Sequence, residues 1–314
     1  FSTTEKFSAK EFCDNFIIGK FSNEKKIKEF IESSNFFTVE TENIPLSLLE
    51  KINEKKKIFP SSNVIKIAQN RLREKRFLNS IPGVETAKFF PINNFGDLSL
   101  RLREFKFKAI IKSCEFGYDG KNQFLVTKEN LSNFETMNLK NFVIEEFLDF
   151  KKEISVIVSK AKENTITYPP VENLHRDSIL KETKYPANLN NNLIKTSLAI
   201  ANKIAEKIGL NGILAVEMFI LKNNNVLVNE IAPRPHNSGH WTLDACKYSQ
   251  YDNLILSIFE SLVKEPSPQK SCKMVNLIGE DFNNFANLKK KYKCYDYFKD
   301  EIRPKRKMGH YIIF

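Results

Sequence analysis

Two spacings of apolar residues alternate along the chain. In the first 66 residues, "FIIGKF" and "FFTVE" are short apolar runs of strand length. Between them "NEKKIKEFIESS" places Ile27, Phe30 and Ile31 at helical spacing. A strand, a helix and a second strand predict a β-α-β unit, hence a parallel, doubly wound α/β layer. "PSSNVIKIAQNRLREKRFLNS" follows, and its proline, Ser/Asn cap and apolar stripe predict one long amphipathic helix. From residue 67 to about 262 strands dominate: "FKAIIKS", "NQFLVT", "FVIEEFL", "EISVIVSK", "GILAVEMFIL" and "NVLVNEIA". One helix, "NNLIKTSLAIANKIAEKI", interrupts them and stops at Gly209. After the linker-like "KEPSPQ", the runs "KMVNLIGE" and "MGHYIIF" predict a small β-rich module. The pattern divides the chain at 1–66, 67–262 and 263–314.

Composition narrows this picture. With 314 residues, 41% of them hydrophobic, the chain can bury two or three cores, and no apolar run approaches the length of a membrane span. The five cysteines are scattered, with no Cys-x-x-Cys pair, which argues against a zinc or disulfide framework and points to a reducing, cytoplasmic setting. The net charge of +11 comes mostly from Lys interleaved with Glu, as in "NEKKIKEF" and "RLREKRF". Such mixing is the mark of solvated helix faces, so neither nucleic acid nor a membrane is expected as a partner. The chain opens on Phe1 without a basic and apolar leader, and reads as one whose true start lies upstream.

The sharpest chemistry lies in "GILAVEMFILKNNNVLVNEIA". Asn tolerates positive φ, so a hairpin turning at Asn223-Asn224 is expected. That register sets Glu217 directly opposite Glu230 on one face. At about 5 Å and an effective dielectric near 20, two carboxylates repel by on the order of 3 kcal/mol. Left alone, at least one should bind a proton more readily than a free Glu. A divalent cation would offset the repulsion, and Asn229 can add an amide oxygen if the backbone bends after Val228. Solvent or Lys partners would do so equally well.

Three further stretches crowd polar groups at strand ends. In "IIKSCEFGYDGKNQFLV", Lys112 closes a strand and Gly117 and Gly120 free the turn, as a loop covering phosphates would require, although most such loops are plain hairpins. "FVIEEFLDFKKEISVIV" offers Glu145, Glu146 and Glu153 between apolar residues, where backbone groups could meet a base edge and a carboxylate a ribose; two ordinary strands would look the same. "NEIAPRPHNSGH" carries Arg234 and His236 between prolines that fix the backbone.

Together with "PPVENLHRDSIL" and "RPKRKMGH", these motifs resemble the ATP-grasp superfamily, and within it the 5-(carboxyamino)imidazole ribonucleotide synthases of purine biosynthesis. The resemblance runs from Phe1 to Phe314. It implies a Rossmann-like pre-ATP-grasp domain, an ATP-grasp fold and a small C-terminal β domain. It implies an ATP-dependent ligase that carboxylates aminoimidazole ribonucleotide with bicarbonate through carboxyphosphate, working as a homodimer. By the same resemblance Glu217, Asn229 and Glu230 would hold Mg²⁺ against ATP. The nucleotide would meet Arg71, Lys112, Gly117, Tyr118, Asp119, Gly120, Lys121, Asn122, Gln123, Glu145, Glu146, Phe147, Leu148, Glu153 and His175, with Asn229 and Glu230 reaching it through the metal. Arg234 and His236 would face carboxyphosphate. Tyr118, Asp119 and Lys121 would meet the ribonucleotide, Asp119 orienting or deprotonating its amine, while Lys299 and Arg306 would hold its 5′-phosphate and Glu42 would contribute from the first domain.

The chain departs from that pattern in two places. Asn122 stands where the family's loop has glycine, and "SCEF" follows Lys112 where the family is basic and glycine-rich, so that Glu115 could repel ATP. The family's N-terminal Gly-rich turn would lie before Phe1. Two other readings stay open: another ATP-grasp ligase, such as a formate-using transformylase, and a non-catalytic basic protein that binds nucleotide or nucleic acid.

Overall fold

A computed structural model describes residues 1–115 and 122–314. The expectations for Gly117, Tyr118, Asp119, Gly120 and Lys121 fall outside the described residues.

The N-terminal layer is built on a parallel pair, Phe36–Thr38 with Lys57–Phe59, joined through the helix Leu46–Asn53. The parallel β-α-β unit is therefore present, one element later than expected. "FIIGKF" contributes a single bridge, Ser2 to Ile18, rather than a strand. The helix Glu24–Glu32 forms as its spacing requires, capped by the Asn23 side chain and burying Ile27 and Ile31.

The expected long helix is two helices, Ser62–Ala68 and Arg71–Asn79. Asn70 separates them. Its backbone is extended (φ −134°, ψ 113°), and its side chain accepts the Arg73 N–H as a new N-cap. A polar residue that can satisfy free helix N–H groups outcompetes helix continuation here. The break turns Arg71, Glu74 and Lys75 inward, and Glu74 and Lys75 are buried.

Two antiparallel sheets enclose the site. The smaller has the order Phe89–Ile92, Phe142–Glu146, Lys108–Ser113, Gln123–Thr127. The larger runs Val226–Ala232, Gly212–Leu221, Phe150–Lys160, Val171–Arg176, Ile179–Tyr185, Cys272–Ile278, Lys307–Ile313, Lys293–Asp296, with Thr165–Thr167 added on Phe150–Lys160. The strands after residue 271 thus continue the central sheet through the pairing of Ile179–Tyr185 with Cys272–Ile278. The helix Asn191–Lys207, capped by Asn190, lays Ile200, Ala201, Ile204 and Ala205 on this sheet and ends at Gly209 with φ +67°. Among the described residues no helix is long and apolar enough to cross a membrane.

Candidate active site

The hairpin that carries the paired glutamates is closed by three residues, not two. Leu221 and Asn225 close it, and Asn224 sits at φ +67°. Near the turn Met218 pairs with Val228, which is a register one residue short of the expected one. A bulge then restores it: two residues, Asn229 and Glu230, follow Val228 where the partner strand advances by one, and Glu217 pairs with Glu230. A bulge re-aims side chains locally. Here it brings Asn229 and Glu230 to the strand position that opposes Glu217.

The two carboxylates do not repel unrelieved. Glu230 accepts from Arg71 at 2.6 Å, and Glu217 faces His236 Nε2 at 3.2 Å. Burial opposes ionisation of Glu217, but the hydrogen bond and attraction of His236, aided by His175 and Lys307, hold its carboxyl at about 2. The expectation of a more readily protonated carboxyl fails for Glu217, because a hydrogen-bond donor and positive charge already surround it. The Asn229 Oδ1 atom is buried with no hydrogen-bond partner among the described residues. Leaving a buried amide oxygen unsatisfied is costly. Two carboxylates and an orphaned amide oxygen form the hard, all-oxygen donor set that suits Mg²⁺. Among the described residues no group of three His, Cys, Asp or Glu side chains offers an alternative metal site.

The helix Arg71–Asn79 ties the two sheets together. Lys75 pairs with Glu145 of the smaller sheet at 3.1 Å and reaches the Asn229 carbonyl of the larger at 3.4 Å. Lys112 also meets Glu145, at 3.0 Å. Burial opposes the charge on Glu145, yet Lys112, Lys75 and Arg71 keep its carboxyl at about 2, while burial lowers Lys112. Glu145 is therefore the counter-ion of two buried lysines, and its side chain is not offered to a ribose. Glu74 accepts the Ile231 N–H at 2.7 Å, and burial together with the charge of Glu230 pushes its carboxyl up to about 8. Glu74 and Lys75 escaped the sequence reading. Their signal was present in "RLREKRFLN", where Arg71, Glu74 and Lys75 share one helix face.

The other expected residues are placed as follows. Asn122 adopts φ +54° and its carbonyl accepts the Ser113 N–H at 3.0 Å, so it takes over the conformation of a glycine. Gln123 opens the strand opposite Lys112. Glu115 accepts from the Asn70 side chain at 3.0 Å. Glu146 and Phe147 are exposed beside half-buried Leu148, and Lys108 lies 3.9 Å over the Phe147 ring. Glu153 and His175 are hydrogen-bonded to each other on adjacent strands. Burial lowers the His175 imidazole, but Glu153 and Glu217 raise it overall. Arg234 is gripped at two nitrogens by Glu42 of the N-terminal layer. Arg306 binds Asp300 and the Glu301 carbonyl, both at 3.0 Å, and Lys299 lies half-buried on the same loop.

Sequence models agree with this architecture along the chain. The ribonucleotide synthetase preATP-grasp domain matches residues 1–69, the ATP-grasp domain 78–251, and the phosphoribosylaminoimidazole carboxylase C-terminal domain 272–314. The chain is 34% identical over 306 residues to the N5-carboxyaminoimidazole ribonucleotide synthase of Bacillus subtilis (strain 168), covering 96% of this chain and 80% of that protein. It is 37% identical over 313 residues to the enzyme of the same name from Staphylococcus haemolyticus (strain JCSC1435), covering 97% and 82%.

The chain belongs to the N5-carboxyaminoimidazole ribonucleotide synthase family.

Solved structures of that family superpose on it closely. The Staphylococcus aureus N5-carboxyaminoimidazole synthetase complexed with ADP matches with a TM-score of 0.91 at 33% identity, covering 99% of this chain and 85% of that one. The Aspergillus clavatus N5-carboxyaminoimidazole synthase in complex with ADP and 5-aminoimidazole ribonucleotide matches with a TM-score of 0.89 at 26% identity, covering 99% and 86%. Membership makes the two facing sheets an ATP-grasp, preceded by the N-terminal layer and followed by the C-terminal domain of N5-carboxyaminoimidazole ribonucleotide synthases. It also makes the chain an ATP-dependent carbon-nitrogen ligase.

Proposed function

We infer that this chain carboxylates 5-aminoimidazole ribonucleotide at the expense of ATP, in purine biosynthesis, with bicarbonate as the carbon source and carboxyphosphate as the activated species. The observation that carries the site assignment is the bulged hairpin, with Glu217 opposite Glu230 beside an Asn229 Oδ1 that has no hydrogen-bond partner among the described residues.

Those three side chains would hold Mg²⁺, which neutralises phosphate charge when bound. Around it this chain's own residues do the positioning. The ammonium of Lys112 stands at the end of its strand, held by Glu145, as a fixed cation for the nucleotide phosphates. Arg71 lies against Glu230 and adds a second positive charge. The ribose edge falls to Glu153, oriented by His175, and the base to the backbone of Glu145, Glu146, Phe147 and Leu148. Arg234 and His236, carried on the proline-stiffened loop, face the activated carboxyl group. Glu42 holds Arg234 at two nitrogens, and a bound anion would share that guanidinium with it. A guanidinium can accept a carboxylate or phosphoryl group in two-point fashion. Lys299 and Arg306 would take the 5′-phosphate, Arg306 exchanging Asp300 for it. Tyr118, Asp119 and Lys121 would complete the ribonucleotide site from the loop.

The same reading places the domain divisions at 66 and 262, the protein in the cytoplasm, and two copies in a dimer. Its test is isotopic. With ¹⁸O-labelled bicarbonate, turnover in the presence of the ribonucleotide should deliver one label into inorganic phosphate. Phosphate free of label would exclude carboxyphosphate.

A further inference from the structure

His236 is held by two separate sets of contacts. Gln250 fixes its backbone, accepting the His236 N–H and donating to the His236 carbonyl, each at 2.9 Å. Gly239 makes this approach possible, since a Cβ there would lie 2.6 Å from Gln250 Oε1 and 2.2 Å from Ile157 Cδ1. The imidazole is held by a different set. Its Nδ1 atom lies 3.3 Å from the Ser238 backbone nitrogen and 2.8 Å from Ser238 Oγ.

The direction of these bonds can be worked out from one donor that cannot turn around. The Ser238 amide points its hydrogen at Nδ1, so Nδ1 is an acceptor and carries no proton. Ser238 Oγ, at hydrogen-bonding distance from the same bare nitrogen, must then donate to it. Having spent its hydrogen, Ser238 Oγ accepts from Ser155 Oγ at 2.7 Å. Ser155 in turn accepts from Asn173 Nδ2 at 3.1 Å. That leaves Asn173 Oδ1 to accept from Thr183 Oγ1 at 3.0 Å. The orientation of the Asn173 amide, which could otherwise be drawn either way, is fixed by the far end of the chain. Ser155, Asn173, Thr183 and Ser238 are all buried, so water does not compete for these bonds. With Nδ1 bare, the ring's proton sits on Nε2, the atom 3.2 Å from Glu217 Oε1.

We propose that Ser155, Asn173 and Thr183 are positioning residues whose one-way chain of hydrogen bonds keeps the His236 proton on Nε2. His236 then meets the activated carboxyl group as a hydrogen-bond donor and does not act as a base at that atom. The functional part of this inference rests on the proposed role of His236 at the substrate anion; the chain itself does not. Each link lies on a different strand. Ser155 pairs with Glu217 across the sheet, Asn173 is on Val171–Arg176 and Thr183 on Ile179–Tyr185. The sheet that places the metal ligands thereby sets the tautomer of the loop histidine.

Ring ¹⁵N spectra of histidine-labelled full-length protein test this directly. The chain has four histidines, and the His236 signals are identified by their loss in His236→Asn. The expected result is a bare Nδ1 and a proton-bearing Nε2. A proton on Nδ1, or an averaged pair, would overturn the proposal. Asn173→Asp, read well above the carboxyl range, keeps shape but can only accept. The Ser155 hydroxyl then turns toward the new carboxylate and Ser238 toward Ser155, so His236 Nδ1 faces a lone pair of Ser238 Oγ and keeps only the longer 3.3 Å bond from the Ser238 N–H. Part of the population should move its proton to Nδ1, and kcat should fall severalfold with both KM values within about twofold, because a wrong tautomer disables a histidine without removing it. An unchanged tautomer in this variant would also overturn the proposal. If Asn173→Asp does not fold, Ser155→Ala removes the donor to Ser238 and should give a mixture of tautomers; a spectrum like the parent's counts against the chain. Wild-type protein with the expected tautomer but no ribonucleotide-dependent turnover would instead leave the chain standing and refute the proposed reaction.

Discussion

Glu217 and Glu230 stand directly opposite each other because two departures from the simplest hairpin cancel. The turn is one residue longer than an Asn-Asn turn, and the bulge at Asn229 takes that residue back. The bulge also sets Asn229, with its buried Oδ1, next to Glu230 at the strand position opposite Glu217. Each carboxylate has its own donor, the Arg71 guanidinium for Glu230 and His236 Nε2 for Glu217.

Replacing either glutamate by Gln therefore takes a charged acceptor from its donor, the Arg71 guanidinium or His236 Nε2. Glu230→Gln and Glu217→Gln should each lower the stability of the ligand-free protein, by about 1 kcal/mol for the half-exposed Glu230 pair and more for Glu217. Both should abolish the rise in melting temperature that Mg-ATP gives the parent. Melts with and without Mg-ATP read both effects. A variant that melts above the parent in the absence of ligand would show that carboxylate repulsion dominates.

Lys75 is buried and shares Glu145 with Lys112. Lys75→Met should destabilise the protein by about 3 kcal/mol, because it strips half the compensation from a buried carboxylate. Chemical denaturation measures this. Loss of nucleotide binding with full stability would mean that Lys75 is a ligand rather than the strut between the sheets.

Two buried imidazoles set an acid limit. His240 and His310 stack at 5.2 Å, burial lowers both, and His310 falls to about 4. Between that value and the ordinary histidine range the unfolded chain binds protons that the folded chain refuses. Unfolding free energy should thus rise with pH across this window, by about 1.4 kcal/mol per pH unit for each histidine. The stability is present above the unfolded value and lost as pH falls through the folded one. His310→Gln should flatten the slope of melting temperature against pH, and an unchanged slope would remove His310 from the account.

Arg306→Ala should raise KM for the ribonucleotide at least tenfold while moving KM for ATP less than twofold. Steady-state kinetics with each substrate varied separates the two. Equal losses for both would disqualify it as the 5′-phosphate ligand.

What the sequence made legible was local chemistry: the opposed glutamates, the stop at Gly209 and the main strands of the ATP-grasp. What escaped it depended on tertiary context. Asn70 reads as one polar residue in a helical stripe until its side chain is seen to cap a second helix. Lys75 and Glu74 look like solvated charges, because only the approach of both sheets buries them. The strands Val171–Arg176 and Ile179–Tyr185 are short and half polar, so neither period stands out, yet they carry the Asn173 and Thr183 links. The Ser155 hydroxyl in an apolar strand gave no signal of its own.

The central claim is tested most directly by phosphate release from Mg-ATP, with aminoimidazole ribonucleotide and bicarbonate supplied singly and together. The account predicts that release accelerates with the ribonucleotide, requires bicarbonate, and matches the N5-carboxylated product one for one. Release that formate supports in place of bicarbonate, or that ignores the ribonucleotide, would contradict it.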